Sequence, residues 1–180
     1  SSENYIHHVF RRAPGFFDVV AYTGDGTSGR AVNHNLTVSP ELIIHKRRDS
    51  SGPWVVLANF TATTYQNLKI NGENSGTTRQ YIHNQHLSSA PGASSYVINT
   101  SYENVSGAKY MSFVFASLSG VSKIGTYSGT GSNVGVDCGF TAGARFVLIK
   151  RTDSTGDWYV YDSARGIVGG NDPYILLNDN

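Results

Sequence analysis

Antiparallel β-sandwich units of the jelly-roll or Greek-key kind, set in tandem with the second incomplete, are the all-β fold class this sequence predicts. Three features predict it. The 180 residues include 20 Gly and 11 Tyr, are rich in Ser, Thr and Asn, and are only 15% charged, a balance typical of extracellular or capsid-type β proteins. Apolar and β-branched residues alternate with polar ones along short runs broken by Gly and Asn, with no helical period between them. The chain also repeats itself: Tyr22-Thr-Gly-Asp-Gly26 returns 105 residues later as Tyr127-Ser-Gly-Thr-Gly131, and Lys46-Arg-Arg-Asp-Ser-Ser-Gly-Pro-Trp54 returns 104 residues later as Lys150-Arg-Thr-Asp-Ser-Thr-Gly-Asp-Trp158. A repeat this long is a whole folding unit rather than a solenoid rung.

The repeat sets the expected boundaries. Tyr5-Ile-His-His-Val9-Phe10 aligns with Tyr110-Met-Ser-Phe-Val114-Phe115, so residues 1–15 read as the last strand of a preceding unit. Residues 16–120 read as a complete sandwich and 121–180 as a truncated copy, to be completed by another segment or subunit. Expected strands of the first unit are 16–22, 31–36, 41–48, 54–60, 67–70, 80–84, 96–100 and 109–116, with 71–93 as surface loops. The second unit repeats the early ones at 121–127, 133–140, 145–151 and 157–161.

The hairpin that occurs twice is the strongest local signal. The Asp49 carboxylate is suited to accepting turn amides and Gly52 to a positive φ, which closes a loop over 49–52 and places Arg47 opposite Trp54. The same count places Arg151 opposite Trp158, with Asp153 and Gly156 in the turn. A guanidinium over an indole contributes roughly 0.5–1 kcal/mol, enough to fix a register. Lys46, Arg47, Asp49, Gly52 and Trp54, with Lys150, Arg151, Asp153, Gly156 and Trp158, are therefore expected to be structural. An exposed Trp stacking on a sugar or base is the functional alternative.

Other constellations read as scaffold. A net charge of +1 gives no electrostatic case for nucleic acid or an anionic membrane, and no run approaches the roughly 18 apolar residues of a membrane span. Cys138 aligns with His34 and reads as a small buried filler, with no intrachain disulfide possible. His83 and His86 lack the further ligands zinc requires and read as polar loop residues. His8 is expected to face where Phe113 does, partly buried. Glu41, Glu73 and Glu103 are scattered without an acid partner, and the Gly24-Asp-Gly26 and Gly129-Thr-Gly131 stretches read as hairpin turns. No catalytic residue, metal or cofactor is expected, and the protein is read as not an enzyme.

Two stretches carry a family resemblance. Ala13-Pro-Gly-Phe-Phe-Asp18-Val-Val-Ala-Tyr-Thr-Gly24, and Phe140 through Lys150-Arg-Thr-Asp-Ser-Thr-Gly-Asp-Trp158 to Gly166, resemble a β-rich domain of tail-fibre and other tail structural proteins of bacteriophages. The resemblance implies a virion component outside the host cell, a homo-oligomer with a trimer favoured, and other tail proteins as partners, with a host surface glycan as a possible one. It carries over no catalytic or receptor-binding residue. In that family the second copy runs on past an Asn-rich segment such as Leu177-Asn-Asp-Asn180 into further strands. The alternative is a carbohydrate-binding module of a larger extracellular protein, with Tyr65, Tyr81, Tyr96 and Tyr102 or the loop histidines as its platform. A polysaccharide depolymerase would need an acid pair that the sequence does not offer.

Overall fold

The computed structural model describes residues 6–70, 76–80, 86–99, 102–167 and 170–179. Among them the chain is all β, with every strand pair antiparallel. The strands are β1 (Phe17–Thr23), β2 (Arg30–Asn33), β3 (Leu42–Arg47), β4 (Trp54–Ala58), β5 (Thr64–Lys69), β6 (Thr77–Gln80), β7 (Ser95–Ile98), β8 (Lys109–Phe115), β9 (Phe146–Lys150), β10 (Trp158–Asp162) and β11 (Ile175–Leu176).

They form a six-stranded sheet in the order β1-β8-β3-β4-β5-β6, a two-stranded sheet β2-β7, and a three-stranded sheet β11-β10-β9. Alternation assigns the two faces of the large sheet. Ile43, Val55, Leu57, Tyr65 and Val114 point inward and close on Val32, Tyr96 and Ile98 of the β2-β7 pair, with Leu36 and Leu87 filling between. This is the sandwich of the first unit.

The opposite face of the large sheet carries Leu42, Ile44, Val56, Leu68 and Ile70. Leu148 of β9 and Trp158 of β10 pack against it. Leu148 is the repeat of Ile44 and Trp158 the repeat of Trp54, so equivalent faces of the two repeats meet. Gly76 N–H donates to Thr152 O at 2.8 Å across the same seam. β3-β4-β5 and β9-β10-β11 are also built alike: Ile70 N–H donates to Trp54 O at 3.1 Å, and Leu177 N–H to Trp158 O at 3.0 Å.

Several expectations need correction. Residues 121–127 and 133–140 form no strand; Val121, Tyr127, Val134 and Val136 lie exposed along them. In the first unit β1 and β2 are held by β8 and β7, and no described strand takes those places beside their repeats. Cys138 is accordingly half-exposed rather than a buried filler. Residues 6–12 also form no strand. The Gly24–Gly26 turn joins β1 of one sheet to β2 of another, so it is a crossover and not a hairpin. The expected strand 80–84 lies mostly outside the described residues, with β6 forming earlier in the chain.

Candidate functional site

The two hairpins agree closely with each other and differ from the sequence expectation by one residue. Lys46, not Arg47, stands opposite Trp54, and Lys150 opposite Trp158. The ammonium of Lys46 lies 5.7 Å from the Trp54 ring centroid and donates to Gly52 O at 2.6 Å, and Lys150 donates to Gly156 O at 2.7 Å. Arg47 Nε instead donates to Asp49 Oδ1 at 2.7 Å, and Arg151 Nε to Asp153 Oδ1 at 2.7 Å. Asp49 also accepts the Lys109 N–H at 2.9 Å, tying the loop to β8. The Arg47 hydrogen bond, then that amide, hold its carboxyl below the ordinary range. Gly52 and Gly156 are not in the left-handed region; they serve as carbonyl acceptors.

The two tryptophans diverge. Trp158 is 4% exposed, and its indole N–H donates to Lys69 O at 2.8 Å. Trp54 is 36% exposed and stacks on Phe113, with ring centroids 6.3 Å apart. One motif therefore closes the seam between the repeats, and the other lines an open apolar groove of about 440 Å³.

Inside the first unit lies a polar network that sequence reasoning missed. His86 Nδ1 is 2.6 Å from Glu103 Oε1, with both side chains buried. Tyr65 OH accepts the His86 N–H at 3.0 Å, Tyr96 OH donates to Ser112 Oγ at 2.7 Å, and Ser112 Oγ lies 2.7 Å from His45 Nδ1. Burial pushes the Tyr96 and Tyr22 hydroxyls up and drives His45 down to about 4, so the network is held neutral around His45. Glu103 is thus a paired core acid, not a scattered one, and His86 lies in a loop as expected but is buried there. The signal available in sequence was only the alternation that turns His45 inward. Tyr65 and Tyr96 are 1% and 0% exposed and cannot stack on a sugar, whereas Tyr102 is exposed; Tyr81 and His83 lie outside the described residues, as does Glu73.

His45, Arg47, Glu103 and Tyr102 border a shallow pocket of about 250 Å³. The His45 and Glu103 side chains are buried, so Tyr102 and Arg47 are the groups of these four that the pocket offers to a ligand. Among the described residues, no group of three His, Cys, Asp or Glu side chains could hold a metal ion. His8 lies against the Phe146 ring with centroids 5.1 Å apart, at the rim of the apolar groove.

A family model described as a domain of unknown function, DUF7483, matches residues 8–179. The chain belongs to this family. The matched span takes in both copies of the hairpin and the seam between them, so the family's unit contains the packed pair rather than one repeat. No curated protein and no solved structure matches the chain.

Proposed function

We propose that this protein is a structural and adhesive segment of a bacteriophage tail fibre or a related tail component, carried on the virion and acting by packing and attachment rather than catalysis. The observation that carries this reading is the seam. A hairpin present in each repeat uses its Trp158 to close on the sheet of the other repeat, the behaviour of a building block that stacks. The residue likeness in 13–24 and 140–166 to tail structural proteins supports the same reading. In it the protein is a homo-oligomer, with a trimer favoured, its partners are other tail proteins, and a host surface glycan is the target. Mass spectrometry of purified particles, compared with the non-particle fraction of the same lysate, tests it. Peptides of this chain should co-purify with tails at fixed stoichiometry; their confinement to the soluble fraction would overturn the reading.

The pocket beside Tyr102 favours a second reading, a carbohydrate-binding module, with the exposed ring as the stacking surface and Arg47 as a hydroxyl partner. Glycan-array binding that is specific for one glycan and lost in Tyr102→Ala would favour it. Binding unaffected by that change would remove it.

A further inference from the structure

The first repeat shows which strand flanks β3. It is β8, in the register Leu42↔Phe115, Ile43↔Val114 and Ile44↔Phe113. β9 is the repeat of β3, with Phe146, Val147 and Leu148 in those three places. On the corresponding side β9 has no strand neighbour among the described residues, since the order β11-β10-β9 ends there. An edge of this kind presents backbone donors and acceptors to whatever strand can meet it.

The chain holds a second copy of the β8 pattern, and it is residues 5–10. Carrying the β8 register across places Phe10 opposite Phe146, Val9 opposite Val147 and His8 opposite Leu148. Part of this arrangement is already present: the Phe10 and Phe146 rings are 5.6 Å apart. The rest is not. His8 also meets Phe146, at 5.1 Å, and its Nε2 lies 3.7 Å from Asp162, which is the β10 partner of Phe146. The segment therefore crosses the end of β9 instead of running along it.

The reason lies in the next few residues. Ala13 bridges to Phe17, Gly15 N–H donates to Leu36 O at 2.6 Å, and Phe10 is held among Phe16, Phe17 and Phe115. This tether fixes the direction in which the chain's own segment leaves the sheet. Val9 remains 88% exposed. One molecule thus displays both a strand edge and a strand whose pattern fits it, without joining them.

The groove beside the edge makes the same point from side chains. Phe17, Val19, Phe113 and Phe115 line the part of the large sheet's outer face that β9 and β10 leave uncovered, and the chain's own His8, Val9 and Phe10 form the other wall of that groove. A strand laid on β9 in the β8 register turns residues 8 and 10 toward that groove, because Phe113 and Phe115 occupy that face in the first repeat.

We propose that residues 6–10 of a second copy of this chain add to the β9 edge as an antiparallel strand, Phe10 against Phe146 and Val9 against Val147, with His8 and Phe10 seated over the groove in place of the receiving molecule's own residues 8–10. The incoming segment has no tether to the receiving molecule's Phe17 and is free to run the length of β9. Backbone pairing supplies the affinity, and alternation of side chains sets the register. The inference rests on the self-association in the proposed function and names the segment and edge that perform it.

The test uses the full chain in a Cys138→Ser background. One preparation carries Val9→Cys and another Val147→Cys, and the two are mixed under mild oxidation. A disulfide-linked species of twice the chain mass is expected, in several-fold higher yield than when Val9→Cys is replaced by Thr27→Cys at a distant exposed site. Both changes are then placed in one chain: a cross-linked monomer as the dominant product would mean the segment closes on its own β9, and would overturn the proposal. Light scattering on the unmodified chain separates the two readings. An oligomer with cross-linking at control level sinks the β9 assignment alone, and a monomer at all concentrations sinks self-association with it.

Discussion

Replacing Trp158 with Ala removes the side chain that joins the repeats. The indole is 4% exposed between Val56 and Leu68, and its N–H is the donor to Lys69 O. Truncating a buried Trp costs about 3–5 kcal/mol, and loss of the hydrogen bond contributes about 1 kcal/mol within that range. For a chain of this size, a destabilisation of about 4 kcal/mol lowers the melting temperature by roughly 10 °C. Trp54→Ala is the internal control, because the same repeat position is 36% exposed and lies on the groove. Its loss should cost about 1 kcal/mol. Urea unfolding followed by far-UV circular dichroism measures both. Trp158→Phe should recover most of the loss, since it keeps the apolar area and gives up only the N–H. Equal costs at positions 54 and 158 would refute the reasoning, because they would show that the seam contributes nothing beyond the hairpin.

Acid should weaken the first unit through His45. Burial holds it at about 4 against an ordinary 6.5, so the unfolded chain binds the proton first as the pH falls. The neutral-histidine contribution is complete above pH 6.5 and is lost on the way down to about 4, by about 3 kcal/mol at pH 4. His34, also lowered by burial, acts in the same direction. Urea midpoints at pH 7 and 4.5 should differ, and the difference should shrink in His45→Leu; a flat profile in the parent chain would refute this. Gly24→Ala should cost about 3 kcal/mol, because a Cβ there would sit 2.1 Å from Val105 O. Gly52→Ala, with open space around it and no positive φ, should change stability by less than about 0.5 kcal/mol. If Gly52→Ala were the costlier of the two in thermal melts, the account of the hairpin turn would be wrong.

Much of the first unit was legible because its signals are local. β3, β4 and β8 fall inside the expected segments 41–48, 54–60 and 109–116, where β-branched and aromatic residues alternate between Gly-rich breaks. Residues 121–127 and 133–140 carry a similar alternation and form no strand, because a strand is completed by its neighbour and the alternation says nothing of whether one is present. The hairpin register slipped by one residue for a related reason. The residue order suggests the turn amides as partners of Asp49, but it binds Arg47 and the Lys109 N–H of a strand sixty residues away, so the pairing of β3 with β4 ends at Lys46 and Trp54. The His86–Glu103 pair was invisible because nothing in the order of residues brings positions 86 and 103 together; only the fold does.

The central physical claim is that the half-sheet of the second repeat is held to the first as part of one cooperative body, outer face to outer face. Native-state hydrogen exchange on the full chain tests it most directly. The slowest amides of β9 and β10 should exchange with the same opening free energy as those of β4 and β5, and should fall together with them in Trp158→Ala. Early, independent exchange of β9 and β10, with β4 and β5 protection unchanged by that substitution, would contradict the claim.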